Sequence, residues 1–254
     1  MNRVRRTTAV IVVALASVSL PQPAQAAIAT TPVATGLAFP AAFTVFPDAK
    51  RFLYGEQPSG EIRIYNDQRD TDVLFFDVPD VSTAGGEHGL LGLALHPNYP
   101  TTRFVYAYVT RKVGTNPTEN QILRFTESGG KGTNMQVIFS SPAGGFHMGG
   151  RILFGPDGNL YALIGDRGVP STSQDLTGTS GKVVRMTPSG GIPSNNPFSG
   201  RYAFAYGVRN GFGMAFDPQT GRLWKTDNGP DCNDELNRVD RGRNYGWGPS
   251  FTCT

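Results

Sequence analysis

Cysteine and histidine are scarce in this chain of 254 residues, with two of the first and three of the second. The cysteines, Cys232 and Cys253, have no further Cys or His beside them, which argues against a metal or redox pair. In an exported protein such a pair closes one disulfide, and a loop of roughly twenty residues contributes about 3 kcal/mol by the chain-entropy relation. No stretch carries apolar residues at i, i+3, i+4 and i+7 over a dozen positions, so little helix is expected. The apolar run Ala9 to Leu20 is too short to span a membrane. Behind the basic Arg3, Arg5 and Arg6, and before the small-residue site Ala24-Gln25-Ala26, it reads as a secretory signal peptide over residues 1–26. Arg5-Arg6 also suits twin-arginine export, although the flanks fit that poorly. The formal charge of +3, less those three arginines, leaves about zero. No basic cluster then remains for nucleic acid or an anionic membrane, and secretion or a periplasmic location is expected.

What is abundant is glycine (32) and proline (19), arranged in a beat that returns four times. An apolar stretch runs into Pro with Asp, Asn or Gln: Val45-Phe46-Pro47-Asp48, Leu95-His96-Pro97-Asn98, Phe154-Gly155-Pro156-Asp157 and Phe216-Asp217-Pro218-Gln219. A β-rich run follows each turn (52–54, 104–108, 160–164, 223–224), then a second strand alternating apolar with polar residues (62–65, 122–125, 183–186, 236–239). A period of about 50 to 60 residues built from strands predicts an all-β propeller over residues 27–254, with about four blades present. Four such blades make either a small closed ring or the front part of a longer one. The long insertions favour the second, with an unpaired edge.

His96 sits inside a repeated turn and reads as structural. His88, in Gly85-Gly86-Glu87-His88-Gly89, suits equally a loop at the channel mouth or a solvated loop. His147 lies in Gly144-Gly145-Phe146-His147-Met148-Gly149-Gly150, and the following strand ends at Asp166. A histidine at the start of one blade strand and a carboxylate at the end of the next can meet on one face, where the carboxylate fixes the tautomer of a general base. Arg209 stands among glycines in a loop that lets the backbone approach a ligand. Residues 227–235 (Asp-Asn-Gly-Pro-Asp-Cys-Asn-Asp-Glu) are dense in oxygen ligands and suit Ca²⁺ or a solvated acidic turn equally well.

Together these loops resemble the soluble pyrroloquinoline-quinone (PQQ) sugar dehydrogenases of the glucose/sorbosone or aldose type. The matching segments are 86–97, 147–151, 164–168, 191–198, 207–210, 228–230 with 234–235, and 244–247, in the family's order over nearly all the mature chain. The resemblance implies a six-bladed quinoprotein propeller that binds PQQ and Ca²⁺ at the channel mouth. It implies oxidation of an aldose at the anomeric hydroxyl, giving a lactone, with electrons passed to an external acceptor. His147 then matches the base, Asp166 its orienting carboxylate, and Arg209 the cation at the reacting quinone carbonyl. Asn228 falls beside the cofactor, the Gly229 and Pro230 carbonyls match the Ca²⁺ ligands, and Glu87 takes the place of a substrate-lining side chain that is often Gln. The family's cationic clamps for the PQQ carboxylates, and a second Ca²⁺ site, belong to two further blades not found before Thr254, so weak cofactor binding is expected of this chain. Two other readings stay open on the same scaffold: a calcium-dependent hydrolase of the lactonase kind, with acidic and Asn side chains around one metal, and a non-catalytic extracellular binding module.

Overall fold

Four antiparallel sheets follow one another along the chain. The computed structural model describes residues 29–112, 114 and 118–253; the expected signal peptide lies outside the described residues. The first blade is β1 (Pro40–Val45), β2 (Arg51–Glu56), β3 (Glu61–Asn66) and β4 (Thr71–Asp77). The second is β5 (Leu90–Leu95), β6 (Phe104–Lys112), β7 (Thr118–Ser128) and β8 (Lys131–Pro142). The third is β9 (Ile152–Phe154), β10 (Leu160–Ile164), β11 (Lys182–Met186) and β12 (Ala203–Tyr206), with a four-residue helix, α1 (Ser171–Gln174), between β10 and β11. The fourth holds β13 (Met214–Phe216), β14 (Leu223–Asp227) and β15 (Glu235–Val239). Each sheet pairs its strands in sequence order, as expected of propeller blades. Among the described residues no helix is long and apolar enough to cross a membrane.

Every Pro turn of the repeat joins the first strand of a blade to the second. The polar residue beside the proline holds it. Asp48 Oδ1 accepts the Lys50 and Arg51 N–H groups at 3.0 and 3.1 Å, and Asp217 Oδ1 accepts that of Gln219 at 2.9 Å. In the second blade His96 takes this part: its Nδ1 accepts the Asn98 N–H at 3.2 Å, while its ring packs against Phe104 and Phe154.

Three cores lie between successive blades. Leu53, Ile62 and Phe75 pack on Leu90, Val105 and Phe125. Tyr106, Tyr108 and Ile122 pack on Ile152, Ala162 and Val184. Leu163, Val183 and Ala205 pack on Met214, Leu223 and Val239. Each Val, Leu, Ile, Phe or Met side chain among these contributes roughly 1.5–3 kcal/mol on full burial. The burial pattern records how many neighbours each blade has. Every residue of β10 and β11 is buried, because the third blade is covered on both faces. In β14 and β15 burial alternates along the strand, and Trp224 and Leu236 are exposed. Phe43, Val45 and Val73 are likewise exposed on the first blade. Among the described residues no strand pairing joins the first sheet to the fourth, so the expected open edge is present. Around the axis β1, β5, β9 and β13 neighbour one another in turn. Gly92 permits this: a Cβ there would collide with the Gly150 carbonyl.

Cys232 and Cys253 form the expected disulfide, with Cα atoms 5.9 Å apart. It closes a loop whose Tyr245 and Trp247 amides donate to the Tyr206 and Gly207 carbonyls at 2.9 and 3.0 Å. Helix α1 ties the same region together. Thr172 Oγ1 donates to the Asp166 carbonyl at 3.1 Å, and Ser173 Oγ to that of Val208 at 2.7 Å. Fully buried Lys182 gathers this segment by donating from Nζ to the Thr172, Ser173 and Ser180 carbonyls at 2.8, 3.1 and 2.8 Å. Burial lowers its pKa from 10.5 to about 8. Between those values the unfolded chain holds a proton that the folded chain has released. Stability should therefore rise with pH from about 8 to 10.5, and be independent of this group below 8, where both states hold the proton. Urea unfolding in pH steps should show that rise, and Lys182→Met should flatten it; superimposable profiles would assign the rise to other groups.

Candidate active site

The loop between β8 and β9 carries His147, which adopts a left-handed backbone with φ of +63°. A non-glycine residue there is strained by roughly 1–2 kcal/mol, so its surroundings must hold it. They do so on several sides. The His147 N–H donates to Glu87 Oε2 at 2.8 Å, and the Met148 carbonyl accepts from Tyr108 Oη at 2.7 Å. The Gly149 N–H donates to Asn210 Oδ1 at 3.1 Å. Gly165 faces the His147 carbonyl, where a Cβ would collide.

This seating brings His147 Nδ1 to 2.6 Å from Asp166 Oδ1, with both side chains buried. The carboxylate also accepts the Gly168 N–H on Oδ1 at 2.8 Å and the Trp247 indole N–H on Oδ2 at 2.7 Å. A carboxylate encircled by donors stays an acceptor, which assigns the imidazole proton to Nδ1 and leaves Nε2 with its lone pair free. The Phe146 ring stands edge-on to the imidazole at 4.6 Å and is half exposed.

Arg209 belongs to the loop before β13. Its carbonyl accepts the Asp166 N–H at 2.8 Å, so the two residues are joined through the backbone. The guanidinium donates from Nη1 to the Asn228 carbonyl at 3.0 Å and lies 5.3 Å from the Trp247 ring. Its Nε is buried and has no hydrogen-bond partner among the described residues. Below it, Asp227 Oδ1 accepts the Arg209 and Asn210 N–H groups at 3.2 and 2.9 Å, and Oδ2 accepts from buried Lys225 Nζ at 2.8 Å. Burial raises the Asp227 pKa, while Lys225 and the two amides oppose that rise. Arg209, Asn228, Gly229, Glu235, Tyr245 and Trp247 line one polar cleft.

The acidic stretch 227–235 folds on itself: Asp234 Oδ1 accepts the Gly229 N–H at 2.9 Å. Among the described residues no three His, Cys, Asp or Glu side chains converge to hold a metal. The Gly229 and Pro230 carbonyls accept no hydrogen bond among the described residues.

His88 is not a solvated loop residue. It is buried, with Nε2 2.7 Å from the Gly144 carbonyl and Nδ1 2.9 Å from Ser82 Oγ. Since a carbonyl only accepts, Nε2 carries the proton and the hydroxyl donates to Nδ1. His88 thus braces the loop that presents His147. Glu87 is half-buried, and with Gln57, Arg151 and Phe212 it lines a cavity of about 250 Å³ on the axis.

With this geometry in place, comparison with known proteins decides the family: the glucose/sorbosone dehydrogenase profile matches residues 37–253. The chain belongs to that family. Aldose sugar dehydrogenase YliI of Escherichia coli (strain K12) is 34% identical over 199 residues, 74% of this chain and 53% of that protein. Quinoprotein glucose dehydrogenase B of Acinetobacter calcoaceticus is 33% identical over 232 residues, 79% and 48% of the two lengths. The solved PQQ-bound form of aldose sugar dehydrogenase from Streptomyces coelicolor is 38% identical, with a TM-score of 0.79 over 87% of this chain and 65% of that one. The chain thus spans about half the length of the two curated relatives named here. In this glucose/sorbosone dehydrogenase family member, Trp247 and Asn210 belong to the site's framework. Both fall in segments that carry the resemblance, but nothing local to them signals a bond to Asp166 or to Glu87.

Proposed function

We propose that this chain forms the sugar-oxidising site of an exported PQQ-dependent aldose dehydrogenase. One observation carries the reading: the oriented His147–Asp166 pair is joined through Asp166 and Trp247 to an arginine whose buried Nε lacks a partner. An unpartnered guanidinium nitrogen beside an indole and a polar cleft fits a planar, acidic quinone. Two carbonyls that accept no hydrogen bond among the described residues, Gly229 and Pro230, fit a hard cation such as Ca²⁺. Arg209 and Asn228 would hold PQQ, with Gly229 and Pro230 directing their oxygens to the ion.

When bound, the quinone supplies a two-electron acceptor for the hydride from C1 of the sugar. His147 Nε2 takes the proton of the anomeric hydroxyl, so that loss of hydride leaves the lactone. Asp166 holds the imidazole in the tautomer that can accept that proton, and stabilises the imidazolium once it has done so. Arg209 sets its positive charge where negative charge would gather on the acceptor. Electrons would leave to an external acceptor, and the disulfide suits a secreted or periplasmic setting.

Titration of PQQ into the chain, followed by quinone absorbance, tests this directly. Saturable binding that EDTA weakens and Ca²⁺ restores is expected, and Arg209→Ala should weaken it about tenfold or more. No saturable binding, or binding indifferent to Arg209, would overturn the reading in favour of a non-catalytic propeller.

A further inference from the structure

The contacts of Glu87 point to a different task from the substrate-lining one that the resemblance suggests. Its Oε2 accepts three hydrogen bonds: from the His147 N–H at 2.8 Å, the Met148 N–H at 3.3 Å and the Asn210 Nδ2–H at 3.0 Å. No lysine or arginine pairs with it among the described residues. The charge is met by backbone and amide donors alone, and charge-assisted bonds of this kind are about twice as strong as neutral ones.

Asn210, itself only 2% exposed, completes the bridge. Its Oδ1 accepts the Gly149 N–H at 3.1 Å, and its own N–H donates to Asp227 Oδ1 at 2.9 Å, one residue beyond Arg209. A single carboxylate from the loop before β5 therefore grips three consecutive residues of the base's loop, two directly and one through Asn210. It fastens that loop to the segment that carries the arginine. The φ of +63° at His147 supplies the reason for such a grip. An L-residue released there relaxes to negative φ, which swings the imidazole away from Asp166.

We propose that Glu87, acting with Asn210, is a positioning residue that holds His147 in its strained, Asp166-facing conformation. Its importance for catalysis rests on the function proposed above; the clamp itself does not.

The test uses the chain without quinone or sugar, labelled with ¹⁵N. With only three histidines, the ring Nδ1–H of His147 bonded to Asp166 can be assigned by comparison with His147→Gln. Glu87→Ala should abolish or broaden that signal, leave the His96 ring signals in place, and speed exchange of the His147, Met148 and Gly149 amides by about tenfold or more. Glu87→Gln, which keeps an acceptor oxygen, should retain the ring signal with intermediate exchange. If Glu87→Ala does not fold, judged by lost protection in β2 and β3, then Glu87→Gln decides. Severalfold faster exchange at His147 and Met148 supports the clamp, and wild-type exchange overturns it. A Glu87→Ala protein that folds and keeps both the ring signal and slow amides also overturns it, returning Glu87 to the substrate side. Failure of PQQ to bind would leave these readouts unaffected, so the two proposals fail separately.

Discussion

On the function proposed above, replacing His147 by alanine should lower kcat for sugar-dependent dye reduction by about two to four orders of magnitude in a form of the protein that turns over sugar with PQQ and Ca²⁺. The loss should fall on kcat and kcat/KM alike, because a base acts as the proton leaves, in the transition state. The affinity for PQQ should change little, since the cleft is lined by Arg209, Asn228 and Trp247 rather than by the imidazole. Folding should survive as well. The substitution removes one donor from Asp166, which keeps those of Gly168 and Trp247. Steady-state kinetics with quinone titration separates these outcomes. A variant that loses quinone binding in proportion to activity would make His147 a cofactor ligand, and one that keeps its rate would remove it from the chemistry.

Asp166→Asn should also be damaging, for a reason that lies in the count of donors. Three N–H groups converge on this carboxylate, from His147, Gly168 and Trp247. An amide offers one oxygen and one NH₂. With the NH₂ toward His147, Nδ1 must become the acceptor, the proton moves to Nε2, and the base is lost; the same NH₂ also faces the Gly168 N–H, donor against donor. With the NH₂ toward Trp247, two donors face each other in a buried site, at a penalty of about 1–3 kcal/mol. The first orientation predicts a fall in kcat of about two to four orders of magnitude, as found for the wrong tautomer of a histidine base; the second keeps the tautomer and loses only the charge that stabilises the imidazolium, a smaller fall. Each orientation sets one donor against another and so costs stability. The size of the kcat loss would tell the orientations apart, urea unfolding would check the stability loss they share, and wild-type kcat with wild-type stability would show that the donors around Asp166 do not matter.

The propeller could be read from the sequence because its signals are local. A Pro turn with an Asp two residues before the next amide, and apolar alternation in the following strands, are properties of short stretches, and β2, β3, β6, β7, β10, β11, β14 and β15 lie where those stretches fall. The outer strands β4 and β8 escaped notice for the same reason. They are largely exposed and carry little apolar alternation. Cys232 and Cys253 could be paired because there was no other choice. His147, Asp166 and Arg209 stood out as chemical residue types in glycine-flanked loops, so their candidacy was visible, although their distances were not.

Tertiary structure alone decided how those residues are held. Glu87 reaches His147 across 60 positions and Asn210 across 123, and Trp247 reaches Asp166 across 81. No periodicity or turn rule operates over such separations. They are set by the stacking of one blade on the next, which the cores around Tyr108, Ile152, Leu163 and Met214 hold in place. The same stacking buried His88 against the Gly144 carbonyl, where its glycine-rich surroundings had left a solvated loop open. Sequence determined which side chains could do the chemistry; the packing of separate blades determined which ones meet, because hydrophobic burial between sheets acts on residues that the chain itself keeps far apart.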